Sequence, residues 1–140
     1  MAYLGRLACK TLAEIAETGC ASAKQPDGAR TAAMFNQLRP KRITTTGMTV
    51  FPNAPVADMV KSGAFVEASE KEKVEELLCF FENLNIDTFF DAVHYLNPLN
   101  YRFQTSSGKA EAIADIKDFL ATHTEEDVER MVSRHLMNSL

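Results

Sequence analysis

Apolar positions along the chain fall into several helical stripes and one dense β-branched run. The clearest stripe is Val74, Leu77, Leu78, Phe81 and Leu84, spaced three and four apart as one face of a helix requires. Ser69-Glu70-Lys71-Glu72 precedes it with the signature of a capping box, in which a hydroxyl takes an orphan amide and Glu72 reaches back. This pattern predicts a helix over 70–84. Ile113, Ile116 and Leu120 predict another over 108–121, and Val128, Met131, Val132, His135 and Leu136 a last one over 125–138. Thr124-Glu125-Glu126-Asp127 resembles a second capping box ahead of that stripe, its acidic run complementing the helix dipole.

Nearer the start, Leu4, Leu7, Ala8, Leu12, Ile15 and Ala16 follow helical spacing up to Gly19, although Met1–Gly5 could instead be a short strand. Pro26-Asp27-Gly28 is a turn in which Asp27 can cap a helix over 28–38. Arg39-Pro40 ends it, because the residue before proline avoids the α region. Ile43–Phe51 is rich in threonine and other β-branched residues and predicts a strand over 43–51, with both faces covered since polarity alternates little. Pro52-Asn53-Ala54-Pro55 turns into a short helix that stops at Gly63. Ile86–Asp91 suits a strand through Thr88-Phe89-Phe90, while Asp87 could equally cap a helix. Taken as a strand over 86–92, it completes a right-handed βαβ unit with strand 43–51 and helix 70–84. The fold class expected is therefore α/β: two or three parallel strands with flanking helices. So few strands leave two raw sheet edges for a partner to cover.

Composition narrows the class. At 140 residues, 46% hydrophobic and 24% charged, the chain can bury a core without disulfides or metals and is expected to form a single domain. No apolar run is long enough to span a membrane, and the first ten residues lack a basic-then-apolar leader, so a cytoplasmic location is expected. The net charge of −4 conceals a basic first third: residues 1–42 hold seven Lys/Arg against three Asp/Glu. Those cations are scattered without interleaved aromatics, which argues against a nucleic-acid surface. Cys9, Cys20 and Cys79 have unrelated spacings and form no C-x-x-C, so neither a zinc ribbon nor a redox pair is expected. Cys79 is expected as a buried small hydrophobe.

Several runs, in order, resemble the later part of radical S-adenosylmethionine (radical SAM) enzymes of the Fe–S oxidoreductase type. They are Leu38-Arg39-Pro40-Lys41-Arg42-Ile43, Thr49-Val50-Phe51-Pro52-Asn53-Ala54-Pro55, Ser62-Gly63-Ala64-Phe65-Val66, Ser69–Leu84, and Phe89–Asn97. The resemblance covers residues 31–125 and favours strand for Ile86–Asp91. It implies the C-terminal part of a partial (β/α) barrel, with residues 1–104 as barrel segment and 105–140 as a helical extension. Two departures stand out. The family's P-G-T-P turn is Pro52-Asn53-Ala54-Pro55 here, and its C-x-x-x-C-x-x-C cluster motif is absent. The expectation is a chain contributing barrel wall and substrate-side residues to a parent enzyme that uses S-adenosylmethionine and a [4Fe–4S] cluster, with no cofactor, metal ligand or catalytic residue of its own. Its partner would be the N-terminal part of that enzyme, or a second copy through exposed strand edges.

In a barrel, chemistry collects at the C-terminal ends of the strands. The resemblance thus assigns Pro52 and Asn53 to cofactor binding, and Asp91, His94 and Asn97 to the side of a small-molecule substrate. For His94 the competing reading is a histidine packed on Tyr95 and Phe103 and bonded to a backbone carbonyl; for Asn97, a turn initiator before Pro98. Asp91 with His94 has the look of a base and its orienter, but no nucleophile stands beside them. Ser107-Gly108-Lys109 resembles a phosphate loop with too few glycines. The alternative function is a small non-catalytic cytosolic interaction module.

Overall fold

A computed structural model describes residues 2–4 and 27–132. In chain order the elements are β1 (Ala2–Leu4), α1 (Asp27–Leu38), β2 (Arg42–Thr45), α2 (Pro55–Lys61), α3 (Glu70–Asn83), β3 (Phe89–Asp91), β4 (Arg102–Gln104), α4 (Thr105–Thr122) and α5 (Glu125–Val132). Leu4, where a helix up to Ala16 is one expectation, belongs to β1; residues 5–16 of that stretch, Cys9, Cys20 and residues 133–138 of the last helix lie outside the described residues.

The fold is mixed α/β. One sheet has the order β1-β2-β3-β4, in which β1, β2 and β3 are parallel and β4 joins β3 antiparallel. Ile43 stands opposite Phe90, and Phe90 opposite Phe103, so these three residues share one face. That face carries the core. Phe81 of α3 meets Phe90 at 4.7 Å and Phe103 at 5.5 Å, and Phe80 meets Phe35 of α1 edge-on at 6.1 Å. Such aromatic contacts each add about 0.5–1.5 kcal/mol beyond the area they bury. Ala112, Ile116 and Phe119 of α4 and Val128 of α5 belong to the same cluster, so residues 105–132 share one core with the sheet.

The capping box of α3 forms as the sequence predicts: Ser69 Oγ accepts from the Glu72 amide at 3.2 Å, and the Ser69 amide donates to Glu72 at 2.8 Å. The Thr124–Asp127 box forms too, with the Asp127 amide on Thr124 Oγ1 and the Thr124 amide on Asp127. The remaining ends of these helices are held by distant residues. Glu125 of α5 accepts from Ser69 Oγ and the Lys71 amide at the start of α3. Asn36 of α1 donates to the Asn83 carbonyl, and Lys109 of α4 to the Leu84 carbonyl, at the end of α3. Asp87 caps not a helix of its own but α4, accepting from Gln104 Nε2 and the Ser106 amide; these bonds hold its carboxyl below its usual range.

Both internal strands are shorter than the β-branched runs suggest. β2 stops at Thr45, where its pairing ends on both sides: Thr44 is the last residue opposite β3, and Thr45 the last opposite β1. Ile86–Thr88 are diverted before β3 begins: Thr105 Oγ1 donates to the Ile86 carbonyl and accepts the Thr88 amide, while Thr88 Oγ1 donates to the Pro40 carbonyl. β4 went unexpected, since three residues after a Pro- and Asn-rich turn carry too little pattern. It occupies one of the two edges expected to lie bare. Arg39 adopts φ +46°, so the helix ends in a left-handed residue before Pro40.

Two glycines mark close approaches. Gly108 lies within α4, where a Cβ would come 2.6 Å from the Phe103 side chain; the Ser107-Gly108-Lys109 run is helix, not a phosphate loop. Cys79 of α3 is only half-buried, its thiol pushed up by burial. At Gly28, α1 crosses α3 so closely that a Cβ would stand 2.3 Å from the Glu76 carbonyl oxygen and 2.9 Å from the Phe80 amide. Neither backbone atom can yield. Gly28→Ala is therefore expected to destabilise by about 2 kcal/mol and to lower the melting temperature by roughly 6–10 °C. Thermal unfolding followed by circular dichroism checks this; an unchanged midpoint would refute the close crossing.

Candidate functional site

The core helices α1, α3, α4 and α5 pack on the Ile43–Phe90 face, and strand alternation sends the intervening residues to the opposite face. There Thr44, Asp91 and Arg102 stand in one row across β2, β3 and β4, with Arg42 and Phe89 in the next. Asp91 is 4% exposed. Its carboxylate pairs with Arg42 Nη2 and with Arg102 Nε, the latter at 3.3 Å, and accepts from the Val93 amide at 3.2 Å. Burial alone would push the Asp91 carboxyl up. The Val93 amide and the two guanidiniums outweigh it and hold the group below its ordinary value. The Arg42 guanidinium also lies 5.4 Å from the centre of the Phe89 ring. Asp91 is thus a fixed negative charge with its oxygens occupied. It orients two arginines and is no base for His94, with which it shares no hydrogen bond among the described residues.

Thr44 Oγ1 in the same row is buried and has no hydrogen-bond partner among the described residues. An unsatisfied buried hydroxyl of this kind costs about 1–3 kcal/mol.

At the C-terminal ends of β2 and β3, His94 and Asn97 come together with Thr46, a residue the sequence reading passed over. Nδ1 of the half-buried His94 accepts from the Leu96 amide at 3.2 Å and lies 3.1 Å from Thr46 Oγ1. An amide can only donate, so Nδ1 is the bare nitrogen and the neutral ring carries its proton on Nε2. The ring lies on Tyr95 at 4.5 Å. Of the packed alternative, the Tyr95 contact is present, but Phe103 lies in the core cluster on the other face and Nδ1 meets an amide instead of a carbonyl. The Asn97 side chain bonds backbone throughout: Oδ1 accepts the Gly47 amide at 2.7 Å, and Nδ2 donates to the Ala92 and Thr45 carbonyls. It fixes the loop after β3 against the segment leaving β2.

Pro52 and Asn53 stand exposed at the tip of a turn closed by the Ala54 amide on the Phe51 carbonyl. Among the described residues, no hydrogen bond or ion pair joins them to Asp91, His94 or Asn97. In the sequence Arg42 stands out only within the Leu38–Ile43 run and among the scattered cations of the first third, and Arg102 not at all. A weak signal is present: a charged residue flanks an aliphatic or aromatic one of the core face in Arg42-Ile43, Phe90-Asp91 and Arg102-Phe103. No three His, Cys, Asp or Glu among the described residues converge as a metal site would require. No described helix is long and apolar enough to cross a membrane.

Asp91→Asn removes the charge that both guanidiniums face, with an expected loss of about 2 kcal/mol at neutral pH. A depressed folded-state pKa gives stability that is present above the unfolded value and lost as pH falls through the folded one. The gap between variant and wild type therefore narrows below about pH 4, as urea unfolding across pH measures; a gap constant down to about pH 3 would refute the clamp. No protein family, curated protein or solved structure matches the chain.

Proposed function

We propose that the chain is the C-terminal segment of a radical S-adenosylmethionine enzyme of the Fe–S oxidoreductase type, supplying barrel wall and substrate-side residues in the cytoplasm. The support is the ordered resemblance of residues 31–125, together with one geometric observation that carries the reading. Three parallel strands follow one another in sheet order, with the core helices on one face and a charged row on the other. In a (β/α) barrel the helix-free face lines the interior. Antiparallel β4 takes the outer edge of β3, so further parallel strands of such a barrel would join at β1.

In the parent enzyme a bound [4Fe–4S] cluster would supply the electron for reductive cleavage of S-adenosylmethionine, the chemistry that activates a substrate C–H bond. The described residues offer no ligand set for that cluster, Cys79 being solitary on α3, and no step through it falls to them. Their part in this reading is to bind and orient. His94 presents an Nε2–H donor at the strand ends, Asn97 and Thr46 hold that loop in place, and Arg42 and Arg102 set the charge of the wall. Pro52 and Asn53 would approach S-adenosylmethionine through their exposed turn.

A second reading, a non-catalytic interaction module, draws on Val93 and Tyr95, which are 52% and 68% exposed beside His94. The first of two experiments separates these readings, and the second tests where the cluster ligands of the enzyme reading lie. The DNA immediately 5′ of Met1 is expected to encode C-x-x-x-C-x-x-C upstream, and its absence from every reading frame would overturn the enzyme reading. Reconstituting the chain with iron and sulfide is expected to leave it colourless; a stable brown cluster would refute the placement of all ligands elsewhere.

A further inference from the structure

The Arg42–Asp91–Arg102 cluster holds more cation than a structural clamp needs. One guanidinium neutralises one carboxylate; here two stand on the same one, leaving the cluster a net charge of +1. Bringing a second like charge to the same point is unfavourable unless something negative completes the set. Each guanidinium has five N–H donors in a rigid fork. Arg42 spends Nη2 and Arg102 spends Nε on Asp91, and neither has a further hydrogen-bond acceptor among the described residues. Their side chains are 47% and 57% exposed, while Asp91 between them is 6% exposed. The donors left over therefore reach solvent on the face opposite the core, held in orientation by a buried charge and, for Arg42, by the Phe89 ring. Thr44 Oγ1, a buried hydroxyl without a partner among the described residues, lies in the same row.

We propose that this face binds an oxyanion, the carboxylate or phosphate group of a small molecule, between Arg42 and Arg102. Paired forks of this kind match planar or tetrahedral oxyanions through two parallel N–H···O bonds. That the bound molecule is a substrate rests on the barrel-wall reading; the anion site itself rests only on this chain. Asp91 serves as the positioning residue that aims both forks.

The test is an NMR titration of the ¹⁵N-labelled full chain, followed at the Arg side-chain Nε–Hε and the backbone amides of β2, β3 and β4. Inorganic phosphate is added in one arm and acetate in the other, with ionic strength held constant by sodium chloride. Saturable shifts at Arg42 and Arg102 are expected in at least one arm, and the stronger arm identifies the group bound. Arg42→Gln and Arg102→Gln should each weaken binding about tenfold. Arg102→Lys should weaken it as well, because it keeps the charge and loses the fork. Melting curves confirm that each variant is folded. No saturable shift in either arm would overturn the site, and so would a folded Arg102→Gln protein that binds as wild type does. Neither arm uses iron, sulfide or S-adenosylmethionine, so this result and the search for an upstream cysteine motif can fail independently.

Discussion

An ionised carboxylate buried in the middle of a sheet constrains everything around it. Asp91 is stable there only because β2 delivers Arg42 on one side and β4 delivers Arg102 on the other. A one-residue slip of β3 would turn Asp91 toward Phe81 and Phe103 and put Phe90 among the guanidiniums. The apolar cluster on one face and the charge cluster on the other therefore specify the same register. Strands of three or four residues have few ladder bonds to choose a register by, so this double specification does most of the choosing.

The clamp also explains why a brief antiparallel strand closes the sheet. Three residues of β4 contribute little pairing energy, yet Phe103 reaches Phe81 and Phe90 while Arg102 reaches Asp91. Gly108 then lets α4 pass over Phe103 without a gap. The chain thus turns from sheet to helix within consecutive residues, Gln104 and Thr105, and Thr105 ties that corner back to Ile86 and Thr88.

Local signals were legible and distant ones were not. The capping box and apolar stripe of α3 lie within sixteen residues of sequence, and the helix ends one residue from where they place it. α4 begins three residues earlier than its stripe suggests, because its start is fixed by Asp87 and Ile86 instead of by a neighbouring side chain. The strand run 43–51 over-reads β2, whose pairing ends at Thr44 opposite β3 and at Thr45 opposite β1. In the candidate site, Asp91 ends β3 and joins the arginines, while His94 and Asn97, close to it in sequence, lie on the loop that follows. Arg42 and Arg102 take their meaning from a carboxylate on another strand, which no local pattern reveals. Asn97 shows the division within one residue: its turn is visible in Asn-Pro, its three backbone bonds are not.

Glu125 links the first residue of α5 to the opening turn of α3, and Lys71 returns the contact through the His123 carbonyl. This makes the two helices a single cooperative unit. When α5 opens, Ser69 Oγ and the Lys71 amide lose their acceptor together, and Val128 leaves the core beside them. Amides at the start of α3 should then exchange with solvent at the rate set by opening of α5, although the centre of α3 is among the most deeply packed parts of the molecule. The last described helix acts in this way as the latch on the helix that carries the core.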